Sequence, residues 1–353
     1  MNPINCAIIG CGVISPTHAL CLHELTEARL VAVCDSVEDK ALKLAETYPA
    51  EVYTDYKAVL ERPDIDLVCV CTPSGLHAEV GIAAALAGKH VIVEKPIDIG
   101  LESAQALVAA CKKAGVKLSC ILQHRFDPAV IDLKAALKEG LLGELHFGGA
   151  HTQWYRAAEY YAQDAWRNVF GGGSLINQSV HYIDLLQYVM GPVAEVHAYA
   201  GNRSHPASGV DDIAAAVVKF RSGAMGVIES MTCAWPGFAT RLEVFGEDGG
   251  VVLENDRVKE WKLRSGSQPS GSFQGGAVIA GSSSVDIWHQ AHKRQIQDVL
   301  EAVRDNRDPL VSGEDGLAAL EIILAMYQSA HTRAPVLLPL GGSSTALNWR
   351  PSF

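Results

Sequence analysis

The chain has 353 residues, of which 48% are apolar and 20% are charged, and its formal net charge is −11. This composition indicates a globular protein, and the length suggests two domains because one core rarely organises so long a chain. The negative charge argues against nucleic acid or an anionic membrane surface as the main partner. No run of about 18 apolar residues occurs, so no membrane span is expected.

Neither disulfides nor a zinc site is predicted, although the chain contains nine cysteines. Most of them lie in or beside apolar runs, where cysteine behaves as a small hydrophobe, and no CxxC pair exists. The first predicted strand begins at Ile4, which leaves no room for a signal peptide, so we expect reduced thiols and a cytoplasmic protein. His289 and His292 lack a third ligand, so we interpret them as part of a solvated helix face, and no metal is predicted.

Apolar runs alternate with helical stretches up to about residue 123. Continuous apolar runs are typical of parallel strands covered on both faces, and the alternation predicts a doubly wound parallel sheet. The predicted strands are 4–9, 29–34, 66–71, 90–93 and 118–121. The predicted helices lie near 13–24, 36–47, 76–87 and 100–113.

The first strand enters a Gly-rich turn that precedes a helix. Gly10 permits the tight turn, Gly12 lets the backbone approach a pyrophosphate, and the helix points its free N–H groups at the phosphates. The second strand ends in Asp35, which can accept both hydrogen bonds of a ribose diol and would repel a 2′-phosphate. Ser36 supplies no cation, so NAD is favoured over NADP. The candidate cofactor contacts here are Gly10, Gly12, Val13, Ile14, Asp35 and Ser36.

Two later strands end at the same edge of the sheet, where ligands of such sheets bind. Strand 66–71 is followed by a loop that contains Thr72, Pro73 and Ser74, and His77 opens the next helix; all four are candidate cofactor contacts. Strand 90–93 runs into Glu94-Lys95-Pro96. This places the Lys95 ammonium at the binding edge, with Glu94 available to orient it or to contact the cofactor.

The regular alternation of strands and helices ends in the second half of the chain. A helix near 128–140 and the triple glycine 171–173 precede a helix near 174–190. Asp-Gly and Ser-Gly turns separate the later strand-like runs, and consecutive hairpins predict a mostly antiparallel sheet. These runs are 193–201, 212–220, 223–232, 240–246 and 249–254. The prediction also includes a Gly/Ser-rich loop at 265–284 and helices near 285–304 and 313–332. The tail after Pro339 is expected to be loosely ordered or to reach a neighbouring subunit.

Together these motifs resemble the Gfo/Idh/MocA oxidoreductases, named after glucose–fructose oxidoreductase and inositol dehydrogenase. The resemblance covers about residues 3–340. Its motifs are Gly10-x-Gly12, Asp35, Thr72-Pro73, Glu94-Lys95-Pro96, Gly171-Gly172-Gly173 and His181-x-x-Asp184. It implies hydride transfer between NAD(P) and a hydroxyl carbon of a sugar, polyol or nucleotide sugar. It also implies an open sheet that makes oligomer contacts, and hence a homo-dimer or homo-tetramer.

The resulting expectation is an α/β chain with an N-terminal Rossmann domain and a C-terminal α+β domain that carries a large, mostly antiparallel open sheet. The expected boundaries are 1–123 for the NAD-binding domain, 124–340 for the substrate-binding and oligomerisation domain, and 341–353 for a tail.

Hydride transfer from a carbinol needs a base for the hydroxyl proton and a donor for the developing charge. Lys95 can stabilise the developing charge and can help to remove the proton, and His181 is the natural acid/base partner. The family usually has a carboxylate where Asn177 stands, four residues before His181 on one helix face. We therefore expect either that Lys95 carries more of the proton work or that Asp184 substitutes from one turn away.

Aromatic and basic residues cluster just ahead of the triple glycine. Aromatic faces stack on sugar C–H surfaces, and arginines bind hydroxyls, carboxylates or phosphates. The candidate substrate contacts are Arg125, Trp154, Tyr155, Arg156, Tyr160, Asn177 and His181, while Trp166 and Arg167 are candidate cofactor contacts.

Two other functions share this sequence pattern. An NAD-using glycosidase would oxidise its sugar transiently and cleave a glycosidic bond by elimination, and the sequence does not separate it from a dehydrogenase. A cofactor-sensing regulator of the same fold is disfavoured because Lys95 and His181 are both present.

Overall fold

The computed structural model describes residues 2–162, 164–268 and 285–341 of the chain. The chain forms two compact units: unit 1 comprises Met1–Gln123 and Val285–Leu317, and unit 2 comprises His124–Ser284 and Ala318–Phe353. The expected loop at 265–284 lies outside the described residues from 269 onward, and the expected tail 341–353 lies outside them from 342 onward. Among the described residues, no helix combines the length and apolar character that a membrane crossing needs.

Unit 1 is built on a six-stranded sheet in the order β3-β2-β1-β4-β5-β6, and every neighbouring pair is parallel. This confirms the doubly wound prediction, and the strand order reverses between β1 and β4, where such sheets bind ligands. The strands are β1 Ile4–Ile9, β2 Ala28–Cys34, β3 Glu51–Tyr53, β4 Leu67–Val70, β5 His90–Val93 and β6 Leu118–Cys120. The helices are α1 Ser15–Glu24, α2 Glu38–Thr47, α3 Tyr56–Leu60, α4 His77–Leu86 and α5 Leu101–Ala114.

Unit 2 contains an eight-stranded sheet in the order β13-β12-β11-β7-β10-β9-β8-β14. Only the β7–β10 pair is parallel, so the prediction of a mostly antiparallel sheet is confirmed. The strands are β7 Leu145–Gln153, β8 Val193–Gly201, β9 Ile213–Phe220, β10 Met225–Met231, β11 Arg241–Gly246, β12 Gly249–Glu254, β13 Arg257–Leu263 and β14 Val336–Leu337. The remaining helices are α6 Pro128–Lys138, α7 Ala158–Ala162, α8 Val180–Met190, α9 Val285–Asp305 and α10 Gly313–Thr332.

Several short or atypical elements escaped the sequence prediction. β3 has three residues and lies at the sheet edge, too short for a strand pattern. β7 lies at the centre of its sheet, but the glycine pair Gly148-Gly149 interrupts its β-branched and aromatic pattern. The stretch Ser174–Ser179 is π-helical rather than the start of an α-helix.

Helix α9 belongs to unit 1, whereas the expected boundary at 124–340 placed it in the second domain. Its buried residues Ile296, Val299 and Leu300 join the same hydrophobic cluster as Cys21 and Leu22 of α1. Burial of this apolar stripe against α1 brings a late segment of the chain back to the cofactor fold.

One face of the eight-stranded sheet is covered and the other is open. Along β9 the side chains alternate, so that Ala216 and Val218 are buried while Val217 and Lys219 are exposed. Such alternation is typical of an antiparallel sheet with helices packed on one side.

A buried carboxylate anchors the π-helical stretch Ser174–Ser179. Asp211 is 1% exposed, and burial raises the pKa of its carboxyl group. Its oxygens accept hydrogen bonds from the Ser174 hydroxyl at 2.6 Å, the Leu175 N–H at 3.0 Å and the Tyr327 hydroxyl at 2.6 Å. The segment that leads into α8 is therefore fixed by a hydrogen-bonded group that water does not reach.

Replacement of Tyr327 by Phe should lower the free energy of unfolding by about 1–3 kcal/mol, because Asp211 loses a buried donor. Urea unfolding at neutral pH measures the change. Tyr48→Phe is the matched control, since no hydrogen bond of the Tyr48 hydroxyl occurs within the described residues. Equal stabilities of the two variants would contradict the anchoring role.

Candidate functional site

The glycine turn after β1 is shaped by its contact with the end of β4. Gly10 has a φ of +95°, and a Cβ atom there would lie 2.5 Å from the carbonyl carbon of Cys71, so only glycine fits. At Gly12 nothing lies within 4 Å of the equivalent position, which leaves the backbone open to a ligand. The Ser15 hydroxyl donates to the Gly12 carbonyl oxygen at 2.8 Å. The serine that replaces the usual third glycine therefore closes the turn.

Asp35 is held against this turn by backbone donors. One carboxylate oxygen accepts from the Cys11 N–H at 2.8 Å, and the other accepts from the Val37 N–H at 2.9 Å. Each oxygen keeps a lone pair for a further donor. Val13 is 84% exposed at the tip of the turn. The geometry thus fits the expected ribose contact.

Two further loops at the carboxyl edge are joined by His77. One ring nitrogen lies 2.7 Å from the Pro96 carbonyl oxygen and the other 2.9 Å from the Thr72 carbonyl oxygen. Burial lowers the pKa of His77, and its side chain is 1% exposed. The ring is enclosed by the two loops that it connects, and its expected contact with the cofactor stays a prediction.

Thr72 and Ser74 lie in the segment that follows β4. The Thr72 hydroxyl oxygen is buried and has no hydrogen-bond partner among the described residues. A buried hydroxyl without a partner costs free energy unless a ligand supplies one. Together with the open backbone at Gly12 and the carboxylate of Asp35, this orphaned hydroxyl fits a nucleotide at the carboxyl edge.

Glu94 is a buried acid at this edge. One carboxylate oxygen lies 2.7 Å from His18 Nε2 and 3.9 Å from His292 Nε2, and the other accepts from the Lys95 backbone N–H at 3.1 Å. Burial by itself raises the pKa of Glu94, but the hydrogen bond from His18 and the neighbouring basic groups outweigh burial and lower the pKa to about 2. Glu94 is therefore ionised and fixes the backbone of Lys95.

His18, Glu94 and His292 could be mistaken for a metal site, because their ligand atoms lie within 4.8 Å of one another. His18 Nδ1, however, is buried and has no acceptor among the described residues. A metal on Nε2 would move the ring proton to Nδ1, where a buried N–H without an acceptor costs about 1–3 kcal/mol. The geometry therefore favours a hydrogen-bonded carboxylate.

The two histidines of α9 are not on a solvated face, and that interpretation is wrong. His289 and His292 are 8% and 4% exposed. His289 contacts Glu24 at 3.0 Å and Cys21 at 3.5 Å, both on α1. The packing of α9 on α1 turns this helix face inward.

In unit 2, the triple glycine lets the chain pass close to Asp211. A Cβ atom at Gly173 would overlap the Asp211 carboxylate. The π-helical stretch that follows holds Asn177, which donates to the Tyr160 hydroxyl oxygen at 3.1 Å. Gln178, which sequence reasoning missed, donates to the same oxygen at 2.8 Å.

His181 lies in the first turn of α8 beside another histidine. The rings of His181 and His124 meet edge to face with centroids 4.9 Å apart. His124 Nδ1 lies 2.7 Å from Asp127 and 3.2 Å from Asp256. Burial lowers the pKa of His124, but Asp256 and Asp127 together raise it well above its ordinary value. A buried histidine whose pKa is raised by two carboxylates therefore adjoins His181, and no local sequence pattern points to Asp256.

Arg125 and Asp184 neutralise each other. The guanidinium donates to both carboxylate oxygens, at 2.9 and 2.6 Å, and lies 4.3 Å from the Tyr188 ring centroid. Both side chains are buried. This pairing counts against two expectations, namely substrate binding by Arg125 and replacement of the missing carboxylate by Asp184.

The aromatic and basic cluster does come together. The Arg156 guanidinium lies 5.0 Å from the Trp154 ring centroid and 5.4 Å from that of Tyr160. Arg167 lies 4.1 Å from the Tyr160 centroid and 5.5 Å from that of Trp166. Tyr155 contributes its carbonyl oxygen to Arg156. Because Tyr160 also bonds Asn177, the cluster is continuous with the π-helical stretch.

Comparison with known proteins matches nearly the whole chain. Residues 4–122 match the model of an oxidoreductase family with an NAD-binding Rossmann fold, and residues 134–338 match the C-terminal alpha/beta domain of the same family, Gfo/Idh/MocA.

Individual relatives are similar along their full length. A myo-inositol 2-dehydrogenase of Thermotoga maritima is 30% identical over 94% of this chain and 97% of its own. An NAD(+)-dependent scyllo-inositol 2-dehydrogenase of Bacillus subtilis is 29% identical over 98% of this chain and 99% of its own. The WlbA dehydrogenase of Bordetella pertussis, solved in complex with NADH and UDP-GlcNAcA, is 29% identical with a TM-score of 0.85, over 96% of this chain and 100% of its own.

Replacement of Glu94 by Gln should reduce the pH dependence of stability. Because the pKa of Glu94 is lowered from 4.5 to about 2, its contribution is fully present above pH 4.5 and is lost as the pH falls toward 2. The difference in unfolding free energy between wild type and variant should therefore shrink as the pH falls below 4.5. Urea titrations at a series of pH values measure it; a difference that does not change with pH would contradict the ionised state.

Proposed function

This chain belongs to the Gfo/Idh/MocA oxidoreductase family, and we propose that it transfers a hydride between a nicotinamide cofactor and a hydroxyl carbon of a sugar, polyol or sugar derivative. The observation that carries the proposal is the position of Lys95. It follows β5 at the carboxyl edge of the sheet, and its backbone is fixed by the buried carboxylate of Glu94. Relatives named as inositol dehydrogenases support the substrate class.

The residues of unit 1 fit NAD. Gly10 and Gly12 would hold the pyrophosphate at the start of α1, and Asp35 would bind the adenosine ribose. The Thr72 hydroxyl would form a hydrogen bond with a further polar atom of the cofactor. The negative charge of Asp35 disfavours a 2′-phosphate, so NADP is the less suitable cofactor. When bound, NAD supplies the carbon that accepts the hydride.

We assign the transfer of the substrate hydroxyl proton to Lys95 and His181. An ammonium group stabilises charge that develops on the oxygen, and an imidazole exchanges a proton near neutral pH. Asn177 cannot stabilise an imidazolium by charge, so its assigned role is to orient the substrate or the ring by hydrogen bonds. We assign cofactor binding to residues 1–123 and substrate binding to residues 124–340, with α9 completing the first of these.

The open sheet face supports assembly into a homo-dimer or homo-tetramer. Val217 and Met225 are each 58% exposed on it, and Phe245 is 39% exposed. A second copy that covers these side chains would remove apolar surface from water. A monomer at micromolar concentration in light scattering would contradict this assignment.

A cytoplasmic location is supported by the thiols. None of the nine cysteines, all of which the structure describes, forms a disulfide, and eight of them are buried. Reduced thiols are typical of the cytoplasm. Recovery of the natural protein in a secreted fraction would contradict this location.

Replacement of Lys95 by Ala should lower kcat by about 100- to 10,000-fold, since a positioned acid/base or charge-stabilising group contributes on this order. The assay follows NADH absorbance with NAD and a panel of sugars, inositols and sugar acids. NAD affinity should be unchanged, and Lys112→Ala, at an exposed lysine of α5, should behave as wild type. Unchanged turnover by Lys95→Ala would defeat the assignment, and aglycone release without net NADH would identify a glycosidase instead.

A further inference from the structure

We infer that unit 2 contains a carboxylate-binding subsite formed by Arg156 and Tyr160, so that the substrate is a sugar acid rather than a neutral sugar. This inference rests on the proposed function and specifies the substrate class of the same site. It follows from an uncompensated charge, an unused hydroxyl hydrogen and a rigid side-chain arrangement.

Arg156 is a cation that has no counter-ion among the described residues. Within the described part of the chain, no carboxylate lies within 4.0 Å of its guanidinium. Its nitrogens donate to two neutral acceptors, the Gln178 side-chain oxygen at 3.2 Å and the Tyr155 carbonyl oxygen at 3.4 Å. Its Nε is buried and has no acceptor among the described residues. Two other basic groups of the unit are paired with carboxylates: Arg125 with Asp184, and His124 with two aspartates.

Tyr160 supplies a second donor. Its hydroxyl oxygen accepts from both Asn177 at 3.1 Å and Gln178 at 2.8 Å. A hydroxyl has two acceptor lone pairs and one hydrogen, so with both lone pairs used the hydrogen is left to donate. No acceptor for it occurs among the described residues. A guanidinium and a hydroxyl donor therefore lie together, which suits an anion.

The guanidinium is held in place before any ligand binds. Its carbon lies 5.0 Å from the Trp154 ring centroid and 5.4 Å from the Tyr160 ring centroid. Arginine packed against aromatic faces loses less side-chain entropy on binding and presents a planar fork that matches a carboxylate. Arg156 is only half-buried, so the fork remains accessible from solvent.

The amount of charge favours a carboxylate over a phosphate. Arg167 also lies over Tyr160, but its guanidinium is 3.4 Å from Asp164, so it adds little net charge. One uncompensated positive charge matches a monoanion, whereas a phosphate monoester approaches two negative charges at pH 7. The same Tyr160 bonds Asn177, four residues before His181, which connects the subsite to the proposed reacting end.

Three sugars that differ only at C6 test the inference: D-glucose, D-glucuronate and D-glucose 6-phosphate, with the corresponding galactose series as a second set. Binding is measured by titration calorimetry in the presence of NADH, and turnover by NADH absorbance with NAD. We expect the dissociation constant of at least one uronate to be tenfold or more lower than those of its neutral and phosphorylated counterparts.

Arg156→Gln should weaken uronate binding at least tenfold and change neutral-sugar binding less than threefold. Arg156→Lys, which keeps the charge but loses the fork, should recover part of the affinity. Arg221→Gln, at an exposed arginine in the β9–β10 turn, is the control and should match wild type. Unchanged NADH affinity of Arg156→Gln shows that the variant is folded.

Several results would overturn the subsite: no uronate binding in either series, no preference over the neutral sugar, tighter binding of the phosphate, or an equal loss for all sugars in Arg156→Gln. Turnover of neutral sugars without uronate preference removes this inference and leaves the proposed function intact. Uronate binding that depends on Arg156, without turnover of any sugar, removes the proposed function and leaves the subsite intact.

Discussion

The contact on which the candidate site most depends is the buried hydrogen bond between Glu94 and His18. Glu94 directly follows β5, and His18 lies in the first helix, just after the glycine turn. The second oxygen of the same carboxylate holds the Lys95 backbone. A single side chain therefore links the backbone of Lys95 to the helix that follows the glycine turn. An ionised carboxylate can be buried there because its oxygens are satisfied by charge-assisted donors.

Charge compensation is the organising constraint of unit 2. Buried charges are costly unless they are paired. Arg125 with Asp184, and His124 with Asp127 and Asp256, meet this requirement through contacts of 2.6–3.2 Å. Among the described residues, Arg156 is half-exposed and bonds only neutral groups, which distinguishes it from these paired charges. Such a charge is suited to bind an anion of a ligand.

Most of the fold could be predicted because long, strongly patterned segments carry their own signal. The buried strands of unit 1 are continuous apolar runs, and β9 shows a clean alternation that only a half-covered sheet imposes. β7 and the π-helical stretch were missed for the opposite reason. The glycines of β7 and the hydrogen bonds from Asp211 that hold Ser174–Ser179 derive their meaning from packing partners that lie far away in the chain.

The sequence by itself determined the cofactor fold, the glycine turn, the acid at Asp35 and the Lys95 motif, because each is a local pattern of turn, strand end and spacing. Only the tertiary structure decided which charges are available. It brought His292 of α9 to Glu94, enclosed His77 between two loops, and paired Arg125 with Asp184. These contacts join residues 19 to about 200 positions apart. Local spacing cannot encode them, since they arise when apolar surfaces are buried and the remaining polar groups must find partners.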